Sequence, residues 1–396
     1  MNVVFVNYHS FASNSAVHIF HLANELEALG VRCAVAVPAD VTTVADLGTA
    51  RFQPLTYEEA LRAPAGPGPT LVHAWTPREL VRKQTLQLCA KLSCGYLAHL
   101  EDNEESILER SMGVPIAELR RRDAEVPETL SHPNRYREFL AGAAGVTALI
   151  DRLLEFKPGH VPGRVIWPAY DAEMNWERPR DEPLRERLGI SRSEKVVVYT
   201  GNVHAANQRE VSSLYLALAL LRRRGVPVRL VRTGQDHARL YDAALADKMR
   251  EFVIEMGVVP RAQLPAIVSL ADVLVQPGGP DVFNEFRFPS KLPEYLASGR
   301  PVMLPRANIG RHLRDGEEAV LMEQGNALEI ARKLEPLLAD DERRKRVGAG
   351  GRAFALQNFS WGKAANELLA FYEILVRPRQ QQAGGGREHA QDQRLV

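Results

Sequence analysis

The sequence predicts an α/β protein with two Rossmann-like domains, and three observations carry that expectation. Val3 to Val6 is a continuous apolar run, as in a strand buried on both faces, and a loop, an amphipathic helix and a second strand follow it. Lys195 to Thr200 (KVVVYT) is a fresh run of the same kind, again leading through a loop into a helix. The 396 residues are enough for two domains of ordinary size, each with its own core.

In the first half, the helix after the loop Asn7 to Ser15 has apolar positions at Val17, Ile19, Phe20, Leu22, Ala23, Leu26 and Leu29, and Gly30 stops it. Cys33 to Val37 is the next strand. The loop contains no G-x-G-x-x-G, so no dinucleotide site is signalled. Thr70 to Ala74 and Gly95 to Leu100 are further strands, with a helix between them from Arg78 to Leu92. Ligands in parallel α/β sheets bind outside the carboxyl ends of the strands. His73 to Trp75 and His99 to Asn103 therefore stand at the edge of a cleft. Glu104 and Glu105 read as an acidic first helical turn. Ser106 to Leu140 is a broken helical insertion whose Arg120-Arg121-Arg122 run is a solvated face or part of a lid. Gly145 to Ile150 resumes strand character. Residues 1–175 are expected as the first domain, 189–356 as the second, 357–376 as a last helix, and 377–396, rich in Gln and Gly, as a disordered tail.

In the second half, Val228 to Val231, Val273 to Gln276 and Pro301 to Leu304 read as strands. The stretch Asp281 to Val302 reads as loop, short helix and strand. Ser290 is the expected N-cap, Pro293 is tolerated near the helix start, and Gly299 ends the helix. Lys291 adds a cation at a helix start, which suits a phosphate, and Glu294 offers a carboxylate to the two hydroxyls of a ribose.

Composition narrows the function class. Net charge is +1, so nothing in it suggests nucleic acid or bulk membrane binding. Three cysteines make neither a disulfide framework nor a paired zinc motif. No run has the length of a membrane span, and the chain enters a strand at once without a basic leader, so a reducing cytoplasm is expected. There is no D-x-D and no Ser/His/Asp or Cys/His arrangement, so neither metal nor cofactor is expected.

The string PSKLPEYLASGRPV closely resembles the donor-site helix of family 4 retaining glycosyltransferases, P-x-K-L-x-E-Y-x-A-x-G-x-P-V. The resemblance spans roughly Val3 to Val376, strongest after Lys195. It implies the GT-B fold, two Rossmann-like domains facing a central cleft, with the C-terminal helix crossing back to the first domain. It also implies transfer from a nucleotide-sugar to a hydroxyl acceptor: a glycan, a lipid-linked molecule or a secondary metabolite. The enzyme would be cytoplasmic or peripheral on the inner membrane face. By this likeness Lys291, Glu294, Arg209 and His99 are the catalytic candidates. Gly201, Asn202, Thr233, Gly234, Val259, Leu264, Glu285, Phe286, Ser290 and Leu292 are the donor candidates. Asn14, Ser15, His18, His73, Glu101 and Asp102 are the acceptor candidates. For His18 and His21 a helix face without a role is the alternative. The chain departs from the family at two places. Phe286 stands where the first motif glutamate is expected, with Glu285 beside it, and Asn202 replaces the first of two basic residues. A nucleotide-sugar epimerase or hydrolase, or a silent nucleotide-sugar binding protein, are the competing functions.

Overall fold

Two parallel sheets carry the chain, each with helices on both faces. The structure is a computed structural model and describes residues 1–240 and 249–376. The tail expected at 377–396 lies outside the described residues.

The first sheet contains β1 (Asn2–Asn7), β2 (Arg32–Val37), β3 (Gln53–Thr56), β4 (Thr70–Trp75), β5 (Gly95–Leu100), β6 (Gly145–Ala148) and β7 (Gly163–Val165). Their order is β3-β2-β1-β4-β5-β6-β7. The second sheet contains β8 (Lys195–Thr200), β9 (Val228–Thr233), β10 (Val253–Glu255), β11 (Val273–Val275), β12 (Val302–Pro305) and β13 (Val320–Met322), in the order β10-β9-β8-β11-β12-β13. Each order reverses once, at β1/β4 and at β8/β11. Connections leave in opposite directions at such a point and open a crevice at the strand ends. The loops after β1 and β5 of the first sheet and after β8 and β11 of the second line one cavity.

The apolar runs behave as their composition demands. Val3, Phe5 and Val6 of β1, and Val196, Val197 and Val198 of β8, are all buried. The expected strands appear within a residue or two. β3 and the helix Tyr57–Arg62 were not anticipated. Pro54 obscures the strand, and it is tolerated because β3 lies at the sheet edge.

The insertion forms the short helices Glu104–Met112, Ile116–Arg122 and Arg135–Gly142. Arg121 and Arg122 are solvated, whereas Arg120 pairs with Glu105. Glu104 and Glu105 do more than offset a dipole. Glu104 is buried, accepts a 2.8 Å bond from Ser131 and stands 3.7 Å from Arg78. Glu105 also binds Arg137 and Tyr136.

The last helix, Trp361–Val376, returns to the first domain and packs on the helix Asn14–Ala28. Tyr372 bonds His73 of β4 at 2.7 Å, and Phe371 and Leu375 fill the space beside Gly145 in β6, where a Cβ would stand within 3 Å of both side chains.

Candidate functional site

The crevice holds a cavity of about 650 Å³ bounded by both domains. Its second-domain wall begins with the stretch Asp281 to Val302. That stretch contains a four-residue helix, Val282–Glu285, capped by Asp281, and then the helix Leu292–Ala297. Ser290 is not the N-cap. Lys291 occupies the cap position, no side chain caps the helix, and Ser290 lies exposed on the cavity wall. Pro289 explains the shift, since its carbonyl accepts from the Leu292 amide at 3.0 Å and forms a turn ahead of the helix. Gly299 ends the helix as expected, with φ of +70°. Six residues make a weak dipole, so the positive field on this wall comes from full charges.

Two cations supply it. Lys291 lines the cavity, with its Nζ 3.3 Å from Gln276 Oε1 and 5.0 Å from the centre of the Tyr199 ring. Burial, with Arg287 adding to it, lowers its ammonium to about 7. Arg287 lines the same wall, 3.7 Å from Glu210, and its Nε is buried without a partner. Nothing in the resemblance marked Arg287. Its position between two phenylalanines, four residues before Lys291, was the available signal. Glu294 also lines the cavity. It accepts a 2.7 Å bond from Arg261, and burial pushes its carboxyl up while Arg261 opposes the shift.

Gly201, Asn202, Thr233, Gly234, Val259 and Leu264 line the same side. Gly234 has φ of +106°, and a Cβ there would lie 2.5 Å from the Gly201 carbonyl, so only glycine lets the loops after β8 and β9 meet. Asn202 accepts from the Gln235 amide at 2.8 Å and so ties those loops together.

On the opposite wall stand Asn14, His18, Glu101 and Asp102. Glu101 receives Trp75 Nε1 at 2.7 Å and the Ser15 hydroxyl, and His18 Nδ1 lies 3.5 Å away. Burial alone would raise this carboxyl; His18, His99 and Ser15 overcome it and hold it at about 2. Asp102 behaves oppositely. Burial and the neighbouring Glu101 and Glu104 push it up to about 6 against Arg78 and Arg287.

Several expected residues are elsewhere. Arg209 is exposed and absent from the cavity wall, because the helix Gln208–Arg223 starts with Glu210 and Val211 turned inward. His73 is fully buried between Tyr372 and Thr147, so it touches no acceptor. His99 is fully buried off the cavity wall, stacks on Trp75 at 3.7 Å and bonds Thr147 at 2.7 Å, and burial drops its imidazole to about 3. Ser15 is buried behind Glu101. Leu292 is a core residue. Glu285 pairs with Arg311 away from the cavity. Phe286 also lies off the cavity wall, against Phe156. Residues that went unmarked and line the cavity include Arg261, Asp171, His204 and Trp361. His21, for which no role was expected, lines it as well and stacks on Trp361 at 4.9 Å.

Two Rossmann-like domains facing a cleft, with the last helix returning to the first domain, define the GT-B class of fold. Residues 194–340, within the second domain, match the family model described as Glycosyl transferases group 1. An alpha-D-kanosaminyltransferase of Streptomyces kanamyceticus is 26% identical over 60% of this chain and 62% of its own length. A D-inositol 3-phosphate glycosyltransferase of Corynebacterium aurimucosum is 31% identical over 48% of this chain and 46% of its own. The chain thus spans less than two thirds of these curated relatives. Among solved structures, HepE of Anabaena, crystallised with UDP and glucose, superposes with a TM-score of 0.69 at 14% identity, covering 94% of this chain and all of that one. WaaG, a glycosyltransferase involved in lipopolysaccharide biosynthesis, superposes at 0.63 with 15% identity, over 95% of this chain and all of its own. These structures share the fold.

Proposed function

We propose that this chain is a retaining glycosyltransferase that moves a sugar from a nucleotide-sugar to a hydroxyl acceptor. The observation that carries the reading is the pair Lys291 and Arg287 on one wall of a two-domain cavity, opposite Glu101 and Asp102. The departing group is a diphosphate whose negative charge grows as the glycosidic bond breaks. Fixed cations in a partly dry site stabilise that charge without reorganising. Arg287 takes the part that Asn202 cannot, and its guanidinium matches phosphate oxygens in pairs. Glu294 holds the ribose, oriented by Arg261. Val259 and Leu264 pack at the base.

The first-domain wall holds the acceptor. Asp102, near 6, accepts a hydrogen bond from the attacking hydroxyl, and Glu101 stays ionised to fix His18. Attack on the leaving-group side passes the hydroxyl proton to the phosphate oxygen and retains the anomeric configuration. In this reading no protein group forms a bond to the sugar, and the chain's contribution is position and charge. The reading involves no metal or cofactor: the two cations carry the diphosphate's charge.

UDP is the favoured nucleotide, since HepE was crystallised with UDP-glucose. The acceptor is a polyhydroxylated molecule, a glycan, a lipid-linked sugar or a secondary metabolite. Among the described residues no helix is long and apolar enough to cross a membrane. The match to a transferase family favours transfer over epimerisation, hydrolysis or silent binding. Incubation with UDP-, GDP- and ADP-sugars tests this. Acceptor-dependent release of nucleoside diphosphate supports it. Release that ignores the acceptor, or epimerised donor, overturns it.

A further inference from the structure

The loop ahead of Lys291 reaches into the first domain. Phe283 lies between two guanidinium groups: Arg287 of its own loop, 4.4 Å from the ring centre, and Arg110 of the first-domain helix Glu104–Met112, 4.8 Å away. Phe286 meets Phe156 at 5.4 Å and Arg152 at 5.2 Å, both on the first-domain turn Asp151–Phe156. The same edge carries a 3.7 Å approach between Asp151 and His312. On its own domain the loop is held firmly. Asn308 donates to the Asn284 carbonyl at 2.8 Å, and Glu285 pairs with Arg311.

We propose that Phe283 and Phe286 form an aromatic clasp gripped by Arg110 and Arg152, so that closure of the two domains sets the loop that carries Arg287 and Lys291. A cation over an aromatic face is attracted by the ring quadrupole, and Phe286 adds apolar packing against Phe156. The loop is fixed on one side by Asn284 and Glu285, so pulling on the two rings acts along a backbone only a few residues from the phosphate-facing cations. Phe286 is then a positioning residue. At the place where the resembling family has a glutamate, this chain has given the residue to the interface between the domains. The inference concerns closure and holds whichever sugar moves.

The test needs no substrate. Spin labels on Glu58→Cys and Arg223→Cys of the full chain, with Cys89 and Cys94 changed to serine, report the distance between domains. Phe286→Ala is expected to lengthen and broaden that distribution, raising the open-to-closed ratio about two- to fivefold for each cation–ring pair removed. Phe286→Tyr keeps the ring and keeps the closed distribution. Arg152→Ala is a surface change that leaves folding intact and opens the domains in the same direction as Phe286→Ala but less, since Phe156 still packs on Phe286, and the double variant opens no further than Phe286→Ala alone. An Arg152→Ala distribution identical to wild type overturns the clasp, as does an opening by Phe286→Ala that Phe286→Tyr shares.

Discussion

The two walls of the cavity carry opposite charge and are assembled differently. The second-domain wall is cationic at its centre, and Arg287, Lys291 and Glu294 come from eight consecutive residues. The first-domain wall is acidic, and its His18, Glu101 and Asp171 come from three separated parts of the chain. A continuous wall can be kept as one string and moved between proteins as a unit. A wall gathered from scattered loops can change one residue at a time. The cationic wall is thus the half of the site that one local string of sequence carries.

Losing charge from the cationic wall gives the largest expected effect. Lys291→Ala should lower kcat by on the order of 10²-fold or more, because the leaving-group charge it meets is greatest in the transition state. Steady-state assay of nucleoside diphosphate release measures this. An unchanged kcat would reduce Lys291 to a solvated cap. Glu294→Ala should act instead on donor KM, by about 1.5–3 kcal/mol for bonds to a charged group, since ribose interactions change little along the reaction. A kcat loss with constant KM would place Glu294 at the reacting centre.

How the walls were built decides how much of them could be read. PSKLPEYLASGRPV lies on one local run of chain, so its loop, helix and strand were legible together, with Gly299 as the stop. Helix phase was less legible. Arg209 and Glu210 are adjacent, and which of them faces inward depends on where the helix begins. Strand depth misled in the first domain. His99 is two residues before Glu101 in the chain, yet it is sealed beneath Trp75. The partner that closes over His73 is Tyr372, 299 residues away. No local pattern carries such a pairing.

The lowered Lys291 ammonium sharpens the contrast through pH. A bound diphosphate favours the charged form and raises its pKa, so binding takes up a proton once the pH exceeds about 7. UDP affinity should therefore fall by up to about tenfold per pH unit above 7, until the pKa of the complex is reached. Lys291→Met should flatten that slope. Calorimetry in buffers of different ionisation enthalpy reads the proton directly. A pH-independent affinity above the Lys291 pKa would break the assignment.

The acidic wall responds at the other end of the scale. Glu101 is held at about 2, below an ordinary carboxyl near 4.5. A depressed carboxyl stabilises the fold above the unfolded pKa, and that stability is lost as pH falls from about 4.5 towards 2. At neutral pH the shift corresponds to on the order of 3 kcal/mol. Glu101→Gln should remove its own share of the acid-dependent loss and leave that of the other depressed carboxyls, Glu79, Glu194 and Glu329 among them. Urea melts at about pH 5 and about pH 3 show it as a narrower gap between the two midpoints. An unaltered gap would mean that His18, Trp75 and Ser15 do not hold the charge.

The smallest expected effect separates the family pattern from the arrangement in this chain. By the family resemblance Arg209 stands near the place of the second phosphate cation. In the structure its side chain is exposed, while Arg287, with a buried Nε lacking any partner, lines the cavity beside Lys291. Removing an exposed arginine from a helix surface changes little, and long-range attraction to a phosphate is screened within about 8 Å at physiological salt. Arg209→Ala should thus leave UDP affinity and kcat within about twofold, in the range of ordinary surface changes. Arg287→Ala should weaken UDP binding by roughly tenfold or more while uridine binding stays the same, because the bonds removed are to phosphate. Calorimetry with UDP and uridine on both variants makes the comparison. Equal losses in the two would return the diphosphate to the loop after β8, with Arg209 swinging inward to meet it. A loss confined to Arg287 would show that the cation missing at Asn202 has been supplied from the loop after β11 on the same wall.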